Sequence, residues 1–267
     1  MNGILNFRDL ADADPALRAG RVFRSARPGL ATEDDVAALQ GHGIRLLIDL
    51  RTPEEVQSAR SGGGPLFEAI DAGVFEHRPL PLMTRDAYRA ALMKRMSKRL
   101  TLKAGVAALR GGREAALPVM RDFLNEAGLL GLNEILLKIG AGNLALALAA
   151  LSETADRPVL IFCTAGKDRT GLLTALALSA VGVGETSVVA DYALSNAHRE
   201  AFGDDAYAGQ VRKIGLDADT FLGAVPETMQ GTLAHLQDRY GGVASYLDGI
   251  GFDGAARGRL RAALRRG

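Results

Sequence analysis

The chain has one cysteine, Cys163, and it opens the run Cys163-Thr164-Ala165-Gly166-Lys167-Asp168-Arg169-Thr170-Gly171. Arg169 follows the thiol after five intervening residues. Ahead of the run lies the apolar stretch Val159-Leu160-Ile161-Phe162, and behind it a long apolar stretch from Leu172 to Val183. The pattern predicts a strand, a tight loop and a helix. In such a loop the backbone N–H groups of Thr164, Ala165, Gly166, Lys167, Asp168 and Arg169 converge at the positive end of a helix, which suits a phosphate. Gly166 gives the turn its backbone freedom. The planar fork of Arg169 can hold two phosphate oxygens at once and meet the charge of the transition state. The same positive surroundings favour a thiolate, and a thiolate below a phosphate is placed for attack on phosphorus. Thr170 can donate its hydroxyl to Cys163, cap the helix, or do both. Lys167 adds charge at the rim and would favour polyanionic substrates, unless it is a plain solvated loop lysine. The bland reading of Cys163 is a buried structural thiol, but an apolar core does not ask for Gly, Lys, Asp, Arg and Thr directly after a buried strand.

Loss of an alkoxide or phenoxide needs a proton. Asp168, the one carboxylate inside the loop, is the candidate acid. Its alternative role is to accept backbone hydrogen bonds and stiffen the loop.

Cys-x5-Arg-Thr resembles the signature loop of the protein tyrosine phosphatase superfamily. The longer string Ala165 to Gly171 is similar to that of its atypical tyrosine/serine branch in bacteria, fungi and plants, which includes mycobacterial phosphatase B-like enzymes. Three further segments resemble that branch in order: Asn6-Phe7-Arg8-Asp9-Leu10, Gly20-Arg21-Val22-Phe23-Arg24-Ser25 and Asp191-Tyr192-Ala193-Leu194-Ser195-Asn196. The resemblance runs from about residue 4 to 260 and is weak over 84–128. It implies a phosphatase fold and a cysteine-dependent hydrolase of phosphotyrosine, with phosphoserine/threonine or phosphoinositides as further substrates. It also implies a cysteinyl-phosphate intermediate and no metal or organic cofactor. Two departures stand out. The family has His before the cysteine where this chain has Phe162, which keeps a phosphate-binding pseudophosphatase open as an alternative. It often has an acid after a proline-rich strand end, where this chain has Leu82. Asp86 is the nearest substitute, and reads equally as a helix-start residue.

Asp49-Leu50-Arg51-Thr52-Pro53-Glu54-Glu55 also resembles a rhodanese segment, so a sulfurtransferase competes. A strand end followed by a capped helix explains the same residues. Arg24, Asp49, Arg51 and Asp86 are expected to bind substrate or to support the pocket from behind. Residues 84–113 carry nine basic residues and one acid, Asp86, with Leu92, Met93, Met96 and Leu100 at helical spacing. A helix over 85–103 is therefore basic and amphipathic. It reads as a solvated face, as a lid over the phosphate site, or as a surface for acidic peptides or anionic lipid. The four histidines have no ligand spacing, so no metal site is expected.

The elements that would position the loop follow from periodicity and caps. Strands are expected at 21–25, 44–50, 74–80 and 159–162. Helices are expected from Thr32 to Gly41, after Thr52-Pro53, at about 85–103, 113–127 and 131–152 with an interruption at Gly140 and Gly142, at 170–182, and at 185–195, 197–213, 226–240, 243–249 and 254–266. Alternating strands and helices predict an α/β fold with a mostly parallel central sheet flanked by helices, the loop standing at the carboxyl end of a central strand. One domain over 1–267 is expected, with a helical lid or insertion at about 84–130. The formal net charge of +1 gives no reason to expect nucleic acid. A lone cysteine excludes a disulfide framework. The first 14 residues have neither a basic start nor an apolar run, so no secretory leader is expected, and the protein is placed in the cytoplasm.

Overall fold

The computed structural model describes residues 1, 3–154, 157–202 and 206–266. A five-stranded sheet runs β1 (Arg8–Asp9), β2 (Val22–Ser25), β5 (Val159–Phe162), β3 (Leu46–Asp49), β4 (Glu76–Pro79) from edge to edge. Only the two-residue β1, absent from the sequence expectation, pairs antiparallel. The rest is parallel, as β5 aligns Leu160 with Phe23 on one side and with Leu47 on the other. β3 and β5 are short apolar runs because helices cover both faces of the sheet.

Strand alternation divides the core. Val159, Ile161 and Cys163 face one cluster, with Leu46, Ile48 and the buried helices behind them. Leu160 and Phe162 face a second cluster with Leu47, Phe23 and Ile44. The helices α1 (Glu33–Gly41), α2 (Pro53–Ser61) and α3 (Pro65–Asp71) follow β2 and β3. Thr32 and Thr52 start α1 and α2 through reciprocal capping boxes with Asp35 and Glu55.

Between β4 and β5 the chain forms α4 (Arg85–Arg95), α5 (Lys98–Ile139) and α6 (Ala141–Leu151). The helix expected at 85–103 is broken at Met96, because Ser97 caps a new helix by accepting from the Leu100 amide. Within α5 the backbone leaves helical geometry at Gly111, Gly112 and Gly128, which sets off the expected 113–127 segment. The expected break at Gly140 is a bend of 81° into α6. Gly140 is required there, since a Cβ would stand 2.7 Å from the Leu82 carbonyl oxygen. No single helix among the described residues is long and apolar enough to cross a membrane.

After β5 come α7 (Asp168–Ala180) and α8 (Glu185–Ala193). Every residue of α7 from Arg169 to Leu178 is buried, as an apolar circumference requires. The helix expected at 197–213 is a 3-10 turn, Leu194–His198, then Arg199–Phe202 and Ala206–Ile214. Its middle, 203–205, lies outside the described residues. Helices Pro226–Tyr240, Val243–Gly249 and Gly254–Leu264 complete the chain.

Candidate active site

β5 delivers Cys163 to the carboxyl edge of the sheet, and α7 begins five residues later at Asp168. The loop between them is held from behind by its carbonyls. The Thr164 carbonyl accepts from the Arg27 amide at 3.0 Å. Asn6 Nδ2 donates to the carbonyls of Ala165 and Gly166, both at 3.1 Å. Arg24 donates to Gly166 O at 2.7 Å. In a trans peptide the N–H points opposite to the C=O. Pulling these three carbonyls outward therefore turns the amides of Ala165, Gly166 and Lys167 to the concave side of the loop. Gly166 sits at φ +65°, and a Cβ there would collide with the Ser25 carbonyl, so only glycine fits.

The anchors form a buried ionic cluster. Arg24 on β2 pairs in register with Ile161 and so stands on the Cys163 face of the sheet. Its fully buried guanidinium meets Asp191 of α8. Arg8 Nε donates to the other Asp191 oxygen at 2.9 Å, and Arg8 also meets Asn6 Oδ1. Burial alone would raise the Asp191 pKa, but Arg24 and Arg8 hold it below the usual range. Burial and the Arg24 charge lower Arg8 to about 10.

Arg169 is 9% exposed. Its fork is gripped by Glu55 of α2, with Nη1 to Oε2 at 2.6 Å and Nη2 to Oε1 at 2.9 Å. Nη2 also donates to Thr164 Oγ1 at 3.0 Å, and that hydroxyl donates on to Glu55. Burial opposes ionisation of Glu55, yet Arg169 and Thr164 overcome it and lower its pKa to about 2. Burial also works against the charge of Arg169, but Glu55, Cys163 and Asp168 raise its pKa above the ordinary value.

A buried thiol, one clamped guanidinium and inward amides around one hollow suit a tetrahedral oxyanion. The model of the tyrosine phosphatase family matches residues 1–266 of the chain. A curated relative, the triple specificity protein phosphatase PtpB of Mycobacterium tuberculosis, is 32% identical over 98% of this chain and 97% of its own. A tyrosine-protein phosphatase of Nostoc commune is 30% identical over 88% of this chain and 71% of its own. The chain belongs to the tyrosine phosphatase family. It is a phosphoric monoester hydrolase, and the sulfurtransferase and non-catalytic alternatives give way to that assignment.

Within this phosphatase the expected residues separate into groups. Cys163, Thr164, Arg169 and Asp168 gather at the loop. Thr170 is fully buried, and its hydroxyl makes no hydrogen bond among the described residues, so the expected bond to Cys163 is not formed. Lys167, expected at the rim, is 2% exposed and donates to both Asp168 oxygens at 2.6 and 2.8 Å. Its short distance to the neighbouring carboxylate and its burial under the loop replace the solvated reading. Asp168 also accepts from the Tyr192 hydroxyl at 3.4 Å.

Among the described residues no hydrogen bond or ion pair joins Asp49 or Arg51 to the loop. Asp49 aligns with Phe162 and faces the second cluster, opposite Cys163. It accepts from Arg51 at 2.9 and 2.7 Å, His77 Nε2 lies 3.2 Å away, and Arg51 stands 5.2 Å over the Phe162 ring. Burial would raise the Asp49 pKa, and His77 and Arg51 lower it. Phe162 thus belongs to an apolar face roofed by a guanidinium. Leu82 is fully buried against Gly140, which explains why no acid stands there. Asp86 lies exposed in the first turn of α4, as a helix-start charge does.

Glu55 was not singled out from the sequence as a site residue. Its only signal was Thr52-x-x-Glu55, which reads as a capping box; the same carboxylate caps the Thr52 amide and clamps Arg169. α4 starts at the sheet edge where Cys163 stands, because it follows β4, which runs parallel to β3 and β5. Burial raises the Tyr88 pKa to about 12, opposed by Arg95 and assisted by the charge of Asp168. Arg95 is tied to Glu134 of α5. The other basic residues of the stretch are exposed, and the side chain of Arg113 lies outside those described.

Proposed function

We propose that the protein hydrolyses phosphotyrosine in proteins, with phosphoserine/threonine as further substrates, through a cysteinyl-phosphate intermediate. The observation that carries this reading is the loop itself: Cys163 at its base, outward carbonyls, and an Arg169 fork pre-set by Glu55. Cys163 Sγ attacks phosphorus as the ester oxygen leaves, and the equatorial oxygens meet the inward amides and Arg169. Asp168 in its protonated form gives the leaving oxygen its proton and is left as a carboxylate, which Lys167 Nζ then holds. A water attacks the phosphocysteine, gives a proton back to Asp168, and frees inorganic phosphate and the Cys163 thiolate. A thiol that must stay reduced to act suits the cytoplasm.

Of the expected lid at 85–103, α4 is the part that closes over the site, since it follows the carboxyl end of β4 on the same sheet edge as Cys163 and ends at Met96. Phosphoinositides are a second substrate class, favoured by the exposed cations of this stretch and by Lys167 next to the loop. A panel of phosphopeptides and phosphoinositides with a Cys163→Ser control tests the reading. Phosphotyrosyl peptides should be turned over fastest, and the control should lose all classes together. Turnover retained by Cys163→Ser would overturn the mechanism.

A further inference from the structure

Between Ser97 and the Gly111–Gly112 bend, α5 has a face that the fold leaves open. Leu102, Val106 and Leu109 follow one another at i, i+4 and i+7, so they stand in one row. The row is not core, because Leu102 is 68% and Leu109 89% exposed. Met93 and Met96 close its other side, giving a shallow, mostly apolar hollow of about 590 Å³. On the opposite face of the same helix, Leu100 lines a separate recess with Phe123 and Leu130 of later α5. Arg99, Lys103 and Arg110 fall on the arc beside the open row, and all three are exposed. From residue 87 to 113 the sequence has no acid.

We propose that this face docks on an anionic lipid bilayer. Leu102 and Leu109 enter the acyl boundary while Arg99, Lys103 and Arg110 lie among the head groups. A row of aliphatic side chains bordered by cations matches the order in which an interface presents acyl chains and anionic head groups. A second copy of the chain is disfavoured, since it would set like charge against like charge. An acidic protein would answer the cations but needs a pocket for leucines that protrude on a shallow surface. The surface stands whichever phosphoester the loop hydrolyses, and it would bring that loop to a membrane.

The test is sedimentation of the full chain with vesicles of phosphatidylcholine alone or mixed with phosphatidylserine, beside turnover of a soluble aryl phosphate. The wild type should bind the mixed vesicles, weaken steeply with salt, and leave pure phosphatidylcholine largely unbound. Leu102→Ser/Leu109→Ser should lose at least tenfold in binding with aryl phosphate turnover unchanged. Arg99→Gln/Lys103→Gln/Arg110→Gln should lose binding and most of the salt dependence. Equal vesicle binding by the wild type and the leucine variant would overturn the proposal. So would binding to poly-glutamate that the leucine changes leave intact while vesicles stay unbound, which would assign the face to an acidic protein.

Discussion

At the scale of single residues, the site depends on two carboxylates with different tasks. Glu55 never needs to move a proton, because its role is to aim Arg169. Its pKa falls from 4.5 to about 2 on folding, so its stabilising effect is complete above 4.5 and is lost as pH drops toward 2. Glu55→Gln should keep the fold but misaim the fork, lowering kcat/KM about 10²-fold and stability by about 1–3 kcal/mol. Its denaturation profile should also lose part of the acid-side fall between pH 4.5 and 2, which unfolding at several pH values would reveal. In the proposed mechanism Asp168 is the acid. Asp168→Asn should slow phenyl or alkyl phosphates far more than nitrophenyl phosphate, because a good leaving group needs no acid. Equal losses on both would leave Asp168 only the task of holding Lys167 and Tyr192.

At the scale of elements, β2, α8 and the N-terminal segment meet behind the loop through Arg24, Asp191, Arg8 and Asn6. Asp191→Asn would leave two buried guanidiniums facing one another, which should cost about 3–5 kcal/mol in chemical denaturation. Because Arg24 and Arg8 hold the Asp191 pKa below the usual value of 3.8, its contribution is present above that pH and fades below it. The wild type should therefore lose stability on acidification more steeply than the variant. These elements were legible in the sequence for physical reasons. Continuous apolar runs marked β3 and β5, threonine caps marked α1 and α2, and of the three flanking motifs two supply Asn6 and Arg24, which hold loop carbonyls, while the third supplies Asp191, which holds Arg24. What stayed hidden depended on side-chain direction. Lys167 reads as a surface charge until Asp168 is seen beside it. Asp49 and Arg51 lie near the loop in sequence pattern, but strand alternation sends them to the far face with Phe162. The 85–103 helix kept its apolar spacing across Met96, so periodicity alone missed the cap at Ser97.

At the scale of the whole molecule, the loop couples ligand to fold. Its anchors come from the first ten residues, from β2, from α2 and from α8, so an oxyanion bound there should stabilise the entire domain. Orthovanadate at 100 times its Kd should add about 2.7 kcal/mol, read as a rise in Tm, and Arg169→Lys should abolish most of that rise because an ammonium lacks the fork. The central claim is that phosphate passes through the single thiol of the chain. The intact protein, quenched in acid within milliseconds of mixing with a phosphotyrosyl substrate and weighed by mass spectrometry, tests it directly. The account predicts a transient gain of one phosphoryl group located on Cys163, absent from Cys163→Ser. Full turnover of substrate with no phosphorylated protein at any time, in a wild type and a Cys163→Ser variant that hydrolyse equally fast, would contradict it.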